Sequence, residues 1–343
     1  MANIRAVAKL AGVSVATVSR AYTDPEKVAE ITRKKVYDAA KDLNYKPNSF
    51  ARLFRTKKTN TVLVIVPDLA NPFFAPVLAG LESAATEAGL SLLLSDSRDD
   101  PKIERNCLEL VETKRADGVI QLGARSLNQI VQAYTISDMP FVHAIEVPEE
   151  NIYPSVAIDN RDASRRMMEY ILKQGHRRIA IVGGRKDSRI TQMRLAGALD
   201  ACRAFSIEAA DVAVEFEPYS VAGGKRATQR LLEASPDLTA LFCMSDELAL
   251  GAIKAVRDAG RRVPEDVSVT GFDNIVIGEY IEPGLTTVTQ PARQIGEIAM
   301  QLMAAQLADP HTAPQHHVLS ADLVIRDSVT PPRSSLKAAK IAE

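Results

Sequence analysis

Residues 11–20 read AGVSVATVSR, and they decide how the front of this chain is built. The stretch has no acid, no aromatic ring and a single charge, Arg20. Gly12 breaks the amphipathic run IRAVAKLA (4–11), and Ser14 is a good N-cap for a helix of about Val15 to Tyr22. TDPEK (23–27) ends that helix. A third pattern, about Glu30 to Leu43, carries Ile31, Val36, Ala39, Ala40 and Leu43 at helical spacing. Two helices joined by a short glycine-containing turn form a helix-turn-helix, whose second helix lies in the major groove of DNA. Small side chains let such a helix sit deep. Val15 and Ala16 can meet thymine methyls, Ser14, Thr17 and Ser19 can donate to phosphates, and Arg20 can reach a guanine edge or a phosphate. A purely structural three-helix bundle is the competing reading.

The charge pattern around this stretch favours DNA. Residues 1–60 hold 13 lysines and arginines against five acids, a balance of +8, while the whole chain of 343 residues sums to −1. The remainder therefore carries −9, and a basic head on an acidic body points to a separate polyanion-binding module. A merely solvated basic face is the alternative. KPNSFARLFRTKKTNT (46–61) reads as a linker that becomes a short helix only when something holds it. The length allows two or three domains, and a hydrophobic content of 46% supports a large core. No apolar run reaches the roughly 18 residues of a membrane span. The opening MANIRAVAKLAG lacks the apolar segment of a signal peptide. Cys107, Cys202 and Cys243 are odd in number and widely spaced, which suits a reducing compartment and no disulfide framework. A cytoplasmic location, with no membrane partner, is the expectation.

From Thr61 the texture changes to short β-rich runs alternating with helix-length segments. The strands fall at 61–68, 90–96, 117–123, 140–145, 155–159, 177–184, 212–216, 240–246, 267–273 and 285–290, with a last one at about 316–327. Near-continuous apolar strands separated by helices mean parallel sheets covered on both faces. So many strands exceed one comfortable sheet, so the expected core is two doubly wound α/β lobes.

Known catalytic fingerprints are missing. There is no P-loop, no G-x-G-x-x-G opening a helix (VGGRKDSRI does not match) and no G-x-S-x-G. His311, His316 and His317 cluster without cysteine or acid support, which reads as surface. No metal, no cofactor and no catalytic residue is expected, and the chain does not read as an enzyme. Polar and aromatic residues instead collect just past strand C-terminal ends, where open parallel sheets bind ligands. They are Asp68, Asn71, Phe73 and Phe74 in PDLANPFF, then Asp159 and Asn160, Ser245 and Asp246, Asp273 and Asn274, and Gln290. Arg194 sits early in a helix. Carboxylates, an arginine and aromatic faces suit a small hydroxyl-rich ligand. Taken singly, Asp246 reads equally as a helix cap, and Phe73 and Phe74 as core.

These residues, in this order, resemble the LacI/GalR transcriptional regulators over nearly the whole chain. The matches include VAKLAGVSVATVSRAYTDPEKVAEITRKKVYDAAKDLNYKPNSFAR, VPDLANPFF, QGHRRIAIVGG, RLAGALDA, MSDELALGAI, VPEDVSVTGFDN and LTTVTQP. The resemblance implies an α helix-turn-helix DNA-binding domain (1–45), a hinge helix or linker (46–59) and a periplasmic-binding-protein-like core (60–330). One core lobe would span about 60–158 and 291–318, the other about 161–288 and 319–330, with a disordered tail at 331–343. It implies a homodimer on a palindromic operator, most simply a repressor of carbohydrate or nucleoside uptake or catabolism genes, controlled by a small effector.

Carried over by position, Val15, Ala16 and Arg20 match base-reading residues. Asn48, Ala51 and Arg52 fall in the hinge helix, and Phe54 stands where a leucine usually wedges between base pairs. Ala6 replaces a usual acid, and Ala29 replaces the usual serine cap of the third helix, at about 1 kcal/mol if nothing compensates. Arg194, Asp273 and Gln290 match effector contacts, Phe73 and Phe74 match cavity walls, and Tyr219 stands where a stacking aromatic often lies. TVLVIVPDLANPFF, TKRADGVIQLGAR and FCMSDELALGAI look most like the nucleoside-responsive subgroup. A nucleoside is therefore the expected effector, with a sugar or sugar acid as the alternative. A solute-binding protein and a nucleoside-using enzyme are more distant ones.

Overall fold

The structure is a computed structural model that describes residues 3–45, 58–123, 139–149 and 151–333. The expected hinge residues Asn48, Ala51, Arg52 and Phe54 lie outside the described residues, as does 334–343 of the expected tail. The chain divides into two compact units, Met1–Thr59 and Asn60–Glu343.

The first unit holds α1 (Ile4–Ala11), α2 (Val15–Thr23) and α3 (Glu30–Asp42). Asn3 caps α1, and Gly12 ends it in the left-handed region (φ 67°), a conformation that glycine adopts without strain. Ser14 caps α2 by accepting from the Thr17 amide at 3.0 Å. Ala29 leaves α3 without a side-chain cap. Val7, Val18, Ala21, Val36 and Ala40 close the core. The Tyr37 hydroxyl donates to the Ala21 carbonyl (2.8 Å), tying α3 to α2.

The second unit has two α/β lobes. The first sheet contains β1 (Thr61–Val66), β2 (Ser91–Asp96), β3 (Gly118–Gln121), β4 (Phe141–Ala144), β5 (Ser155–Ile158) and β11 (His316–Leu319). Its order is β11-β5-β4-β3-β1-β2, parallel throughout. The second contains β6 (Ile179–Gly183), β7 (Ala213–Phe216), β8 (Ala240–Cys243) and β9 (Ser268–Thr270), in the order β7-β6-β8-β9, also parallel.

The described helices of this unit are α4 (Phe74–Glu87), α5 (Pro101–Glu112), α6 (Asn160–Lys173), α7 (Arg189–Ala204), α8 (Val221–Ala234), α9 (Asp246–Asp258), α10 (Ile277–Tyr280) and α11 (Ala292–Ala308). One face of the first sheet (Leu63, Ile65, Val119, Phe141) packs on Cys107, Leu108 and Val111 of α5. The other face packs on α4 and α11. Those two helices approach so closely that a Cβ on Gly80 would lie 2.1 Å from the Arg293 carbonyl oxygen. A Cβ on Gly296 would lie equally close to that of Val77, so glycine is required at both positions.

The segment 316–327, expected as one strand, is two. β11 joins the first sheet, and β12 (Asp322–Val324) pairs antiparallel with β10 (Thr287–Thr289) beside the second. The cause is topological: here the chain leaves one lobe and enters the other from the opposite end. Similar crossings lie between β5 and α6 and between β10 and α11. Three crossings leave the C-terminal ends of both parallel sheets facing one cleft, the position at which such sheets present loops and helix starts to a ligand.

Candidate effector cavity and nucleic-acid interface

In the first unit, Val15 (41% exposed), Ala16 and Arg20 face solvent, while Val18 and Ala21 point into the core. Thr17 and Ser19 are half-buried. Ser14 is already engaged: its hydroxyl accepts from the Thr17 amide and lies 2.9 Å from the Thr17 hydroxyl. The outward surface of α2 is thus a row of small side chains ending in one guanidinium.

In the second unit, a cavity of about 450 Å³ opens between the lobes. Asn71, Phe73, Phe74, Arg194, Tyr219, Asp273 and Gln290 all line it. Asn71 sets the corner after β1, its Oδ1 accepting from the Phe73 amide at 2.9 Å. That corner delivers two rings, Phe73 and Phe74, packed edge to face at 5.4 Å. Tyr219 stands on the other lobe. Its hydroxyl pairs with the Thr191 hydroxyl (2.9 Å), and burial pushes its phenol up to about 12.

The polar floor is Arg194, Asp273 and Gln290. Arg194 donates through Nε to the Asn160 side-chain oxygen (2.8 Å) and through a second nitrogen to the Met244 carbonyl. Its guanidinium lies 3.5 Å from the Phe272 ring centroid and 3.7 Å from Asp273 Oδ1. Gln290 Nε2 donates to the same Asp273 oxygen at 2.6 Å. Asp273 has φ 113° and Asn274 φ 55°, a strained pair that non-glycine residues adopt only when their surroundings hold them. The Asp273 amide bonds the Val288 carbonyl (2.8 Å), and Arg326 donates to the Asn274 side chain (2.9 Å). Burial pushes the Asp273 carboxyl up to about 6, against the pull of Arg194 and Gln290.

Ser245 and Asp246, counted as effector candidates from their place after a strand, do not line the cavity. Ser245 is the N-cap of α9, accepting from the Leu248 amide (3.2 Å). Asp246 is fully buried behind it, accepting from the Ile275 amide (2.8 Å) and the Thr287 hydroxyl (2.5 Å). Both side chains are taken up by bonds within their own lobe, Ser245 to its helix backbone and Asp246 to Ile275 and Thr287, and neither lines the cavity.

Sequence reasoning also missed lining residues, among them Arg98, Asp99, Glu146, Arg185, Ser188 and Ser220. Most follow a strand end by one to three residues, so the rule that found Asn71 would have found them had it been applied to every strand. Several bridge the lobes: Asp99 to Arg185 (3.1 Å), and Glu146 to the Ser188 hydroxyl (3.0 Å) and the Ile190 amide (3.3 Å); outside the cavity, Glu149 pairs with Arg189 (3.2 Å). Among the described residues no cluster of three or more His, Cys, Asp or Glu could hold a metal, and no helix is long and apolar enough to cross a membrane.

A helix-turn-helix unit joined to a two-lobed α/β core with a polar, ring-lined cleft defines an effector-controlled DNA-binding regulator. Residues 3–48 match the model of bacterial regulatory proteins of the lacI family, and 168–329 match a periplasmic binding protein-like domain. The chain is 35% identical to the HTH-type transcriptional repressor CytR of Escherichia coli K12, over 95% of this chain and 96% of the relative. The structure of the regulator CelR in complex with cellobiose matches with a TM-score of 0.73 at 32% identity, covering 96% of this chain and all of that one. The lac repressor dimer bound to operator and the anti-inducer ONPF matches with a TM-score of 0.86 at 27% identity, covering 95% and 98%. The chain belongs to the lacI family of bacterial regulatory proteins. It is a DNA-binding transcription regulator, and the relatives it matches are regulators, not enzymes.

Proposed function

We propose that this regulator is a homodimeric repressor that releases or holds its operator according to whether a nucleoside occupies the inter-lobe cavity. The observation that carries this reading is the pairing of an Arg194–Asp273–Gln290 floor with rings on both sides, Phe73 and Phe74 from one lobe and Tyr219 from the other. A ribose offers vicinal hydroxyls to the floor, and a base offers a flat face to the rings. Operator recognition falls to Val15, Ala16 and Arg20 of α2, with Ser14, Thr17 and Ser19 positioned for the backbone and Asn48, Ala51, Arg52 and Phe54 assigned to the hinge. Exposed apolar side chains at Val276, Ile277 and Tyr280 supply a surface for a second copy.

A sugar effector is the second reading, favoured by the likeness to the CelR–cellobiose structure. Thermal unfolding of the purified protein against nucleosides, pentoses, hexoses and disaccharides decides between them. A ligand of the folded state stabilises by RT ln(1 + [L]/Kd), about 2.7 kcal/mol at a hundred times Kd. A shift with a nucleoside that also alters operator titrations supports the proposal. A shift with sugars alone overturns the choice of effector.

A further inference from the structure

Two of the crossings between the lobes carry an amide side chain that grips the cavity floor. Asn160 stands at the first, as the opening residue of α6 just after β5, and Gln290 stands at the second, directly after β10. Each holds one member of the buried ion pair. Asn160 Oδ1 accepts from Arg194 Nε at 2.8 Å, and Gln290 Nε2 donates to Asp273 Oδ1 at 2.6 Å. Gln290 lines the cavity. Asn160 does not line it and is only 3% exposed, so it meets a ligand through Arg194.

The turn of α7 that carries Arg194 is locked to the same crossing. Ser164 of α6 donates its hydroxyl to the Arg194 carbonyl at 2.7 Å. A Cβ on Gly197, one turn further along α7, would lie 2.0 Å from the Arg161 carbonyl oxygen, so the two helix backbones touch there. Arg166 ties α6 to the Ala321 carbonyl, in the third crossing. Asn160 also reaches the other way. Its Nδ2 lies 3.5 Å from the carbonyl of Ile158, the last residue of β5, at the outer limit of a hydrogen bond. One amide therefore spans the crossing, from a strand end of the first lobe to a guanidinium of the second.

Arg194 and Asp273 stand 3.7 Å apart, too far for a direct hydrogen bond and open to a hydroxyl that accepts from one and donates to the other. A guanidinium is planar and rigid, so a ligand that turns its outer nitrogens also turns its Nε bond to Asn160. We propose that Asn160 is the positioning residue that couples occupancy of the cavity to the angle of the lobes, and through it to operator affinity. This rests on the effector reading above and adds the route by which the site is regulated.

The test measures ligand affinity by calorimetry and operator affinity by anisotropy, with and without saturating ligand, on the full-length protein. The probe is cytidine, with adenosine and then cellobiose in its place where it does not bind. The ratio of the two operator affinities is the coupling, commonly about 5- to 150-fold in such systems. Asn160→Asp keeps the oxygen that faces Arg194 and puts a second oxygen against the Ile158 carbonyl in place of the donor. It should hold ligand affinity within about threefold and cut the coupling at least about fivefold. Asn160→Ala removes both ends and should lose about tenfold in ligand affinity as well. If the alanine variant does not fold, the aspartate variant carries the test alone. Arg161→Gln breaks an exposed ion pair with Asp200 between the same two helices, and should leave the coupling within about twofold. Coupling of wild-type size in Asn160→Asp overturns the proposal, whatever the ligand affinity, and leaves the proposed function standing. An equal loss in Arg161→Gln overturns the assignment to Asn160. If no probe binds wild type, or binding leaves operator affinity unchanged, the effector reading fails and this inference with it.

Discussion

Arg194 and Asp273 form an ion pair 3.7 Å apart on the cavity floor, with side chains only 4% and 9% exposed. A pair so removed from water is stable only because its other valences are met: Arg194 by Asn160, Met244 and the Phe272 ring, Asp273 by Gln290. Removing the arginine leaves a buried carboxylate unpaired, which costs on the order of 3 kcal/mol. Arg194→Ala is therefore expected to lower the unfolding free energy by that amount and to abolish the operator's response to effector, while operator affinity of the unliganded protein stays within about threefold. Anisotropy titrations with labelled operator, with and without ligand, check this. Loss of operator binding in a protein that is still folded would show that Arg194 holds the core as a whole and not the ligand.

Asp273 is expected to give ligand binding a pH dependence. Burial raises its carboxyl to about 6, so it is ionised at neutral pH and protonated in mild acid. If the carboxylate accepts ligand hydroxyls, affinity is flat above pH 7 and falls below 6, by about tenfold at pH 5. The stability sign is opposite. A carboxyl raised above its unfolded value of 3.8 binds its proton more tightly in the folded state, so its burial penalty is absent in acid and complete above pH 6. Calorimetry from pH 5 to 8 should show weaker binding in acid, and Asp273→Asn should bind weakly at every pH with no such slope. A slope that survives in Asp273→Asn belongs to another group.

Asp246 is the more extreme case, pushed up to about 8 first by burial and then by the charge of Asp273. Its folded form therefore keeps a proton at neutral pH, and stability contributed by that proton is lost as pH rises through 8. A protonated carboxyl can donate to the Thr287 hydroxyl while accepting from Ile275, and an asparagine amide can do both. Asp246→Asn should fold normally, be at least as stable as wild type at pH 8 and flatten the stability curve between pH 4 and 8. Asp246→Ala strands both partners and should cost about 2 kcal/mol. Urea unfolding at a series of pH values separates these outcomes, and a large loss in Asp246→Asn would mean the ionised form is the one the fold uses.

These two aspartates mark how far the sequence could be read. Both follow β-rich runs in motifs that suit a ligand, and the one local difference, that Asp246 reads equally as a helix cap, does not decide between them. Asp273 reaches the cavity because its backbone takes a positive φ beside β10, whereas Asp246 begins a helix and turns inward to Ile275 and Thr287. Both outcomes depend on segments some 15 to 40 residues downstream, so the periodicity that located the strands could not supply them. The helix-turn-helix was legible because its signals, Gly12 and the Ser14 cap, are local. The division of 316–327 into two strands in two sheets could not come from periodicity, because it is set by where the partners β5 and β10 lie, and only the resemblance pointed to a change of lobe within this segment.

Arg20 is exposed at the C-terminal half of α2, beyond the exposed Val15 and Ala16. If it reads a base, Arg20→Ala should weaken operator binding by about 1–3 kcal/mol and relax preference at one base pair in each half-site. If it binds only phosphate, the loss should be uniform across sequences, with the salt slope reduced by about one per site. Titrations against an operator and single-base variants at two salt concentrations distinguish the roles, with effector affinity of free protein unchanged in both. Undiminished binding would remove α2 from the interface.

Gly184 looked like part of a failed nucleotide fingerprint, VGGRKDSRI, and the structure gives it another task. A Cβ built there would lie 2.0 Å from Tyr219 Cζ, so the tyrosine ring rests directly on the glycine backbone. The ring is also held by its hydroxyl contact with Thr191 and cannot slide without breaking it. Gly184→Ala should therefore displace Tyr219 into the cavity, at a stability cost of about 1–3 kcal/mol and a loss of at least about tenfold in ligand affinity. Operator binding without ligand should be unaffected, since the change lies in the second unit and far along the chain from α2. The decisive control is the double mutant. With Tyr219→Ala already present the methyl has nothing to strike, so adding Gly184→Ala should cost less than about 0.5 kcal/mol further. If the methyl costs as much without the ring as with it, the strain lies in the β6 turn itself. Tyr219 would then lose its place as the wall against which a base or sugar stacks.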